Sequence, residues 1–148
     1  MPVDKVRLQA LVEALRSRGR VTTARRALLA ALTSSDQHRT AEDLADDVRA
    51  SHPSVHRATI YRSLDALTAM GLIEHTHLGH GPAVYHLAEE AHHHLVCESC
   101  GAVIEVPAEL FDDLSDTIRA NYGFEVTSRH FAVSGLCRGC ASVGASGP

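Results

Sequence analysis

The cysteines constrain this chain more than any other feature. All four fall in two CxxC pairs, Cys97-Glu-Ser-Cys100 and Cys137-Arg-Gly-Cys140. Two such knuckles supply four thiolates, the complete tetrahedral shell of a structural zinc ion, with no position left open for a substrate. A lone pair would equally suit thiol redox chemistry; two pairs bracketing one segment favour the metal. The 36 residues between Cys100 and Cys137 exceed the usual ribbon gap, so the zinc is expected to tie the last strand of a small domain to its first. The start Met-Pro-Val-Asp-Lys lacks a basic stretch followed by an apolar one, which points to a cytoplasmic location, where thiols stay reduced. No run approaches the ~20 apolar residues of a membrane span, so no membrane partner is expected.

Ahead of the cysteines the apolar residues recur at helical spacing. Val6, Leu8, Leu11, Val12 and Leu15 predict a helix over 4–17 that stops at Gly19. Thr22 or Thr23 can cap a second, running from Ala24 to Leu32. Thr40 precedes a third, which Pro53 ends near Ser51. Ser54 or His56 opens a fourth, with Ile60, Leu64, Leu67 and Met70 on one face until Gly71. The period then changes to two. Leu72–His77 and Ala83–Leu87 flank Gly79-His80-Gly81-Pro82 and predict a β-hairpin. Helices followed by a hairpin describe a winged helix-turn-helix whose fourth helix is the reader. Its polar face carries Arg57, Thr59, Tyr61, Arg62 and Ser63, suited to phosphate and base-edge contacts, although such residues also populate ordinary solvated faces.

Beyond a short acidic connector at Glu89–Glu90, the sequence predicts strands over His93–Cys97 and Ala102–Val106, a helix over Pro107–Ala120 and a strand over Phe124–Val133. The fold class is therefore α+β. Residues 1–87 are expected to form the winged-helix DNA-binding domain, 91–140 a small α/β metal-binding dimerisation domain, and 141–148 a disordered Gly/Ser/Ala tail. A domain of some 60 residues gains from a metal staple and from pairing with a second copy.

The formal net charge of −4 looks wrong for a nucleic-acid binder, but it conceals an asymmetry. Residues 1–85 hold 11 Lys+Arg against 9 Asp+Glu; residues 86–148 hold 3 against 9. The half with the reader helix is mildly basic. With three Tyr, three Phe and no Trp, a stacking surface for single strands is not expected.

The histidines suggest further metal. His92 and His94 are two apart at a strand start, where alternate side chains share a face, so both can reach one ion while His93 points away. His75 and His77 repeat that spacing on the hairpin's first strand, and His86 lies on its second. Imidazole-rich sites suit nickel, zinc or ferrous iron. Catalysis is not expected: no histidine is followed two positions later by Glu, no HExxH occurs, and no GxGxxG or GxxxxGK[ST] loop appears. A dimeric metal-storage or delivery protein that does not read DNA is the reading from another class.

Taken together, Ile60-Tyr61-Arg62, His92-His93-His94-Leu-Val-Cys97-Glu-Ser-Cys100-Gly, Val103-Ile104-Glu105 and Cys137-Arg-Gly-Cys140 resemble the ferric uptake regulator family of metalloregulators, over roughly residues 12–140. The resemblance implies a homodimer that binds palindromic operator DNA as a repressor when loaded with metal. It places the regulatory metal between domains on His38, His86, His92 and His94, with Glu105 as a further ligand, and an accessory site on His93, Asp112 and His130. It also matches Tyr61, Arg62 and Arg25 to DNA contacts. The segment His75-Thr-His77-Leu-Gly-His80-Gly, followed by Tyr85-His86-Leu-Ala, looks most like the family's nickel-responsive branch, where the wing histidines join the position of His130 in a second metal site. That branch carries a longer histidine run than the Glu90-Ala91 found here, so zinc, iron and peroxide sensing stay open beside nickel.

Overall fold

The computed structural model describes residues 4–35, 38–88, 92–127 and 130–144. The chain divides into two compact units, residues 1–75 with 83–90 and residues 76–82 with 91–148. The acidic connector expected at residues 89–90 lies outside the described residues.

The first unit begins with α1 (Lys5–Arg18), whose N-terminal amides at Val6 and Arg7 donate to the Asp4 carboxylate and whose buried face is Leu11, Val12 and Leu15. Thr22 caps α2 (Thr23–Thr33). Thr40 and Asp43 close a reciprocal capping box on α3 (Ala41–Ser51), which sets where that helix starts. The fourth helix, α4 (Arg57–Ala69), buries Ile60, Leu64 and Leu67 and stops before Gly71, whose φ of +69° a side chain would strain. Strands β2 (Ile73–His77) and β3 (Ala83–Leu87) form the expected hairpin. A strand that the pattern did not announce, β1 (Arg39–Thr40), pairs antiparallel with β3 and gives the sheet order β1-β3-β2. Two residues are too few to show a period. Leu15, Leu28, Leu44, Ile60, Leu67 and Ile73 anchor one continuous aliphatic core.

In the second unit β4 (His92–Cys97) lies between β5 (Val103–Pro107) and β6 (Ala132–Gly135). It runs antiparallel to β5 and parallel to β6. Parallel neighbours need a crossover, here a 3₁₀ turn (Ala108–Phe111) and α5 (Asp112–Tyr122). The expected helix from Pro107 is thus split, because Pro107 still pairs with His92 at the end of β5. The expected strand over Phe124–Val133 is also corrected. Residues 124–127 have no regular structure, and pairing with β4 begins only at Ala132. The disordered tail expected from residue 141 is corrected over 141–144, which belong to α6 (Arg138–Gly144), the Ala141 amide donating to the Cys137 carbonyl. Residues 145–148 lie outside the described residues.

The units differ in what they bury. The first is filled by aliphatic side chains. In the second the buried residues are Val96 and Cys97 with His93, His94 and His130, plus Thr76, while Leu110, Leu114, Phe124 and Leu136 stay exposed.

Candidate metal centres and nucleic-acid face

β4 sets out both groups of metal-binding side chains. Its pleat puts His92 and His94 on one face, as their spacing predicts. Their ring centroids are 5.0 Å apart, and His130 stands 4.4 Å from His92 and 4.5 Å from His94. His130 reaches them because the neighbouring Phe131 carbonyl accepts the His94 amide at 3.0 Å, where the chain enters β6. The ligand nitrogens of the three lie within 4.8 Å of one another, and His94 is 0% exposed. Imidazoles bind a divalent ion at about 2.0–2.1 Å, so a small contraction would seat one ion on all three. Glu105 lies opposite His94 in register, its Oε1 3.9 Å from His94 Nε2. It stands beside the imidazole group but is not among the donor atoms gathered within 4.8 Å of one another.

His93 turns the other way. It stacks on Phe131 at 3.8 Å and meets the edge of Phe111 at 5.0 Å. Burial pushes its pKa below the ordinary histidine value, with the neighbouring His92 adding to the effect and Asp112 opposing it. The accessory set of His93, Asp112 and His130 is not assembled: His130 sits with His92 and His94, and among the described residues neither His93 nor Asp112 belongs to a group of three donors. The parallel pairing of β6 on β4, which no local pattern encodes, decides this.

In the first unit His38 and His86 meet edge to face at 5.3 Å. His86 Nδ1 donates to the Leu87 carbonyl at 3.0 Å, which leaves Nε2 as its ligand nitrogen. Glu74, a carboxylate that spacing alone did not single out, brings an oxygen within 4.8 Å of a His86 ring nitrogen. Its only sequence signal is a position on the hairpin strand facing His86's strand. His75 leans on the Tyr85 ring at 5.5 Å, and His77 Nδ1 donates to the Gly81 carbonyl at 3.3 Å. Neither enters a three-donor group among the described residues.

The four cysteines converge as the two knuckles predict. Cys97 ends β4, Cys100 follows in a turn that Gly101 closes at φ +74°, and Cys137 and Cys140 sit at the start of α6. All four Sγ atoms lie within 4.8 Å of one another, with Cys100 and Cys137 at 3.8 Å. Zn–S bonds of about 2.3 Å in a tetrahedron require sulfurs about 3.8 Å apart, so the donor set fits zinc. The Cys137 amide donates to Cys97 Sγ at 3.4 Å. That bond, and then the Cys100 amide, lower the Cys97 pKa to about 6. Ser99 lowers the Cys140 pKa, but Cys137, Cys100 and Cys97 together carry it up to about 11. One thiol thus ionises easily while another resists joining it, an imbalance that a dication removes.

On α4, Arg62 and Tyr61 are exposed, and Arg62 shares a concave surface with Arg25, Thr59, Thr22, Thr23 and His56. Arg25 spends one donor on the Arg20 carbonyl at 2.7 Å. Arg57, expected among the DNA contacts, has its guanidinium ion-paired with Asp46 on α3.

Residues 17–134 match the Ferric uptake regulator family. The ferric uptake regulation protein of Bacillus subtilis (strain 168) is 33% identical over 113 residues, covering 74% of this chain and 76% of that protein. The zinc uptake regulation protein of Mycobacterium tuberculosis (strain H37Rv) is 33% identical over 124 residues, covering 83% and 95%. Among solved structures, a zinc uptake regulator complexed with zinc and DNA matches with a TM-score of 0.65 and 28% identity, over 98% of this chain and 99% of that one.

Proposed function

Because this chain belongs to the ferric uptake regulator family, we propose that it is a homodimeric repressor that reads operator DNA through α4 once a regulatory divalent ion is bound. The carrying observation is the His92, His94 and His130 group. It offers three imidazoles on the second unit. His38 and His86, on the reader's own unit, supply the further donors through which an ion would couple metal binding to the DNA-binding half, with Glu105 or Glu74 adding oxygen. Cys97, Cys100, Cys137 and Cys140 hold a structural zinc. Homodimerisation is supported by the apolar side chains exposed on the second unit, since a unit that buries few aliphatics gains by covering them with a second copy. No helix of the described residues is long and apolar enough to cross a membrane.

We favour nickel as the regulatory ion, on the nitrogen-rich donor set and the histidine-bearing wing with His75 and His77. Zinc is the second reading, supported by the zinc uptake relative. Metal analysis of the purified protein, with gel shifts on its own promoter region across nickel, zinc, iron and manganese, decides between them. Operator binding that is unchanged after full chelation of the histidine sites would refute the switch. Arg62→Glu should abolish DNA binding and leave metal uptake intact; wild-type protein that takes up metal but binds no DNA under any ion would point to storage.

A further inference from the structure

Resting on that DNA-binding reading, we propose that His56 is a DNA-backbone contact that seats a phosphodiester together with Arg25 and Arg62. His56 occupies the N-cap position of α4 with extended backbone (φ −74°, ψ 147°) and makes no side-chain cap hydrogen bond there. Its imidazole is therefore not engaged in closing the helix. It lines a cleft of about 480 Å³ with Arg25 and Arg62, bordered by the hydroxyls of Thr22, Thr23, Ser54 and Thr59. No carboxylate lines this cleft. The first turns of α2 and α4 both lack acidic residues. Two guanidiniums, an imidazole and several hydroxyls around one concavity, with no anion among them, form a surface for phosphate oxygens. Arg57, the cation next to His56 in the chain, is held by Asp46 instead. His56 thus takes the place at this end of the reader helix that Arg57 leaves.

A backbone contact carries no sequence information, so changes at residue 56 should act on operator and random duplex alike. In metal-loaded full-length protein, His56→Glu should weaken binding to both at least about tenfold. His56→Arg should tighten binding to both and steepen the plot of log affinity against log salt by about 0.9, the increment for one further neutralised phosphate. Metal content and helical circular dichroism report whether each variant is folded, and the opposite signs of the two changes cannot both arise from misfolding. If both variants keep wild-type affinity and salt slope while Arg62→Glu abolishes binding, His56 does not face the backbone and the DNA-binding reading stands. If the wild type binds no duplex under any metal, both fall.

Discussion

At the residue scale, small polar groups fix where the helices begin. The Asp43 carboxylate accepts the Thr40 hydroxyl at 2.6 Å and the Thr40 amide at 3.1 Å, and these bonds hold its pKa below the ordinary 3.8. A carboxylate whose folded pKa is depressed stabilises the fold fully above its unfolded value. That stability is lost as pH falls through the lower, folded value. Thr40→Ala is expected to cost about 1 kcal/mol at neutral pH, and Asp43→Asn to flatten the acid limb below pH 3.8; denaturant melts between pH 2 and 7 measure both. Gly71 presents the other kind of local constraint. With φ at +69°, Gly71→Ala should destabilise the first unit by about 1–2 kcal/mol, seen as a lowered midpoint without a changed denaturant slope. Both features were legible in the sequence, Thr40 as a cap and Gly71 as a stop.

At the element scale, legibility follows the range of the interaction. Helices α1 to α4 and the hairpin could be read because period, caps and stops are local. The two-residue β1 could not, and neither could the late start of β6, since each exists only through pairing with a strand distant in sequence. The same long-range pairing brings His130 to His92 and His94, where the family resemblance implied a place with the wing histidines or with His93. The cysteine site was legible throughout, because four thiols in two knuckles leave one way to complete a zinc shell. Cys140→Ser, or chelation strong enough to strip that site, is expected to speed amide exchange in residues 92–97 and 132–135. Protection in α1 to α4, whose aliphatic core contains no cysteine, should stay unchanged. Uniform loss of protection across the chain would contradict this.

At the scale of the whole molecule, the sequence could pair a DNA reader with a metal domain, but donor type alone could not name the ion. The formal charge of −4 also describes no working state: each divalent ion on neutral imidazoles adds +2, and four thiolates around zinc leave −2. Each imidazole must shed its proton to bind. Acidification should therefore lower apparent metal affinity, by up to about tenfold per pH unit for each imidazole that must lose a proton. Operator binding at fixed, limiting metal should fall with it, and saturating metal should restore it. Titrations between pH 5.5 and 8 measure this. Shifting such a switch from 1:99 to 99:1 takes about 5.5 kcal/mol of differential metal binding.

β4 carries His92 and His94 at its start and Cys97 at its end. Its six residues would therefore join two ions of different duty on a single rod. A strand that frays for want of zinc also loses the spacing that lets its histidines grip the second ion. With the proposed sites filled, the two metals would have an order of loading, and the response to one would presuppose an adequate supply of the other. A cell starved of zinc would lose this regulator's sense of its signalling metal, however abundant that metal became.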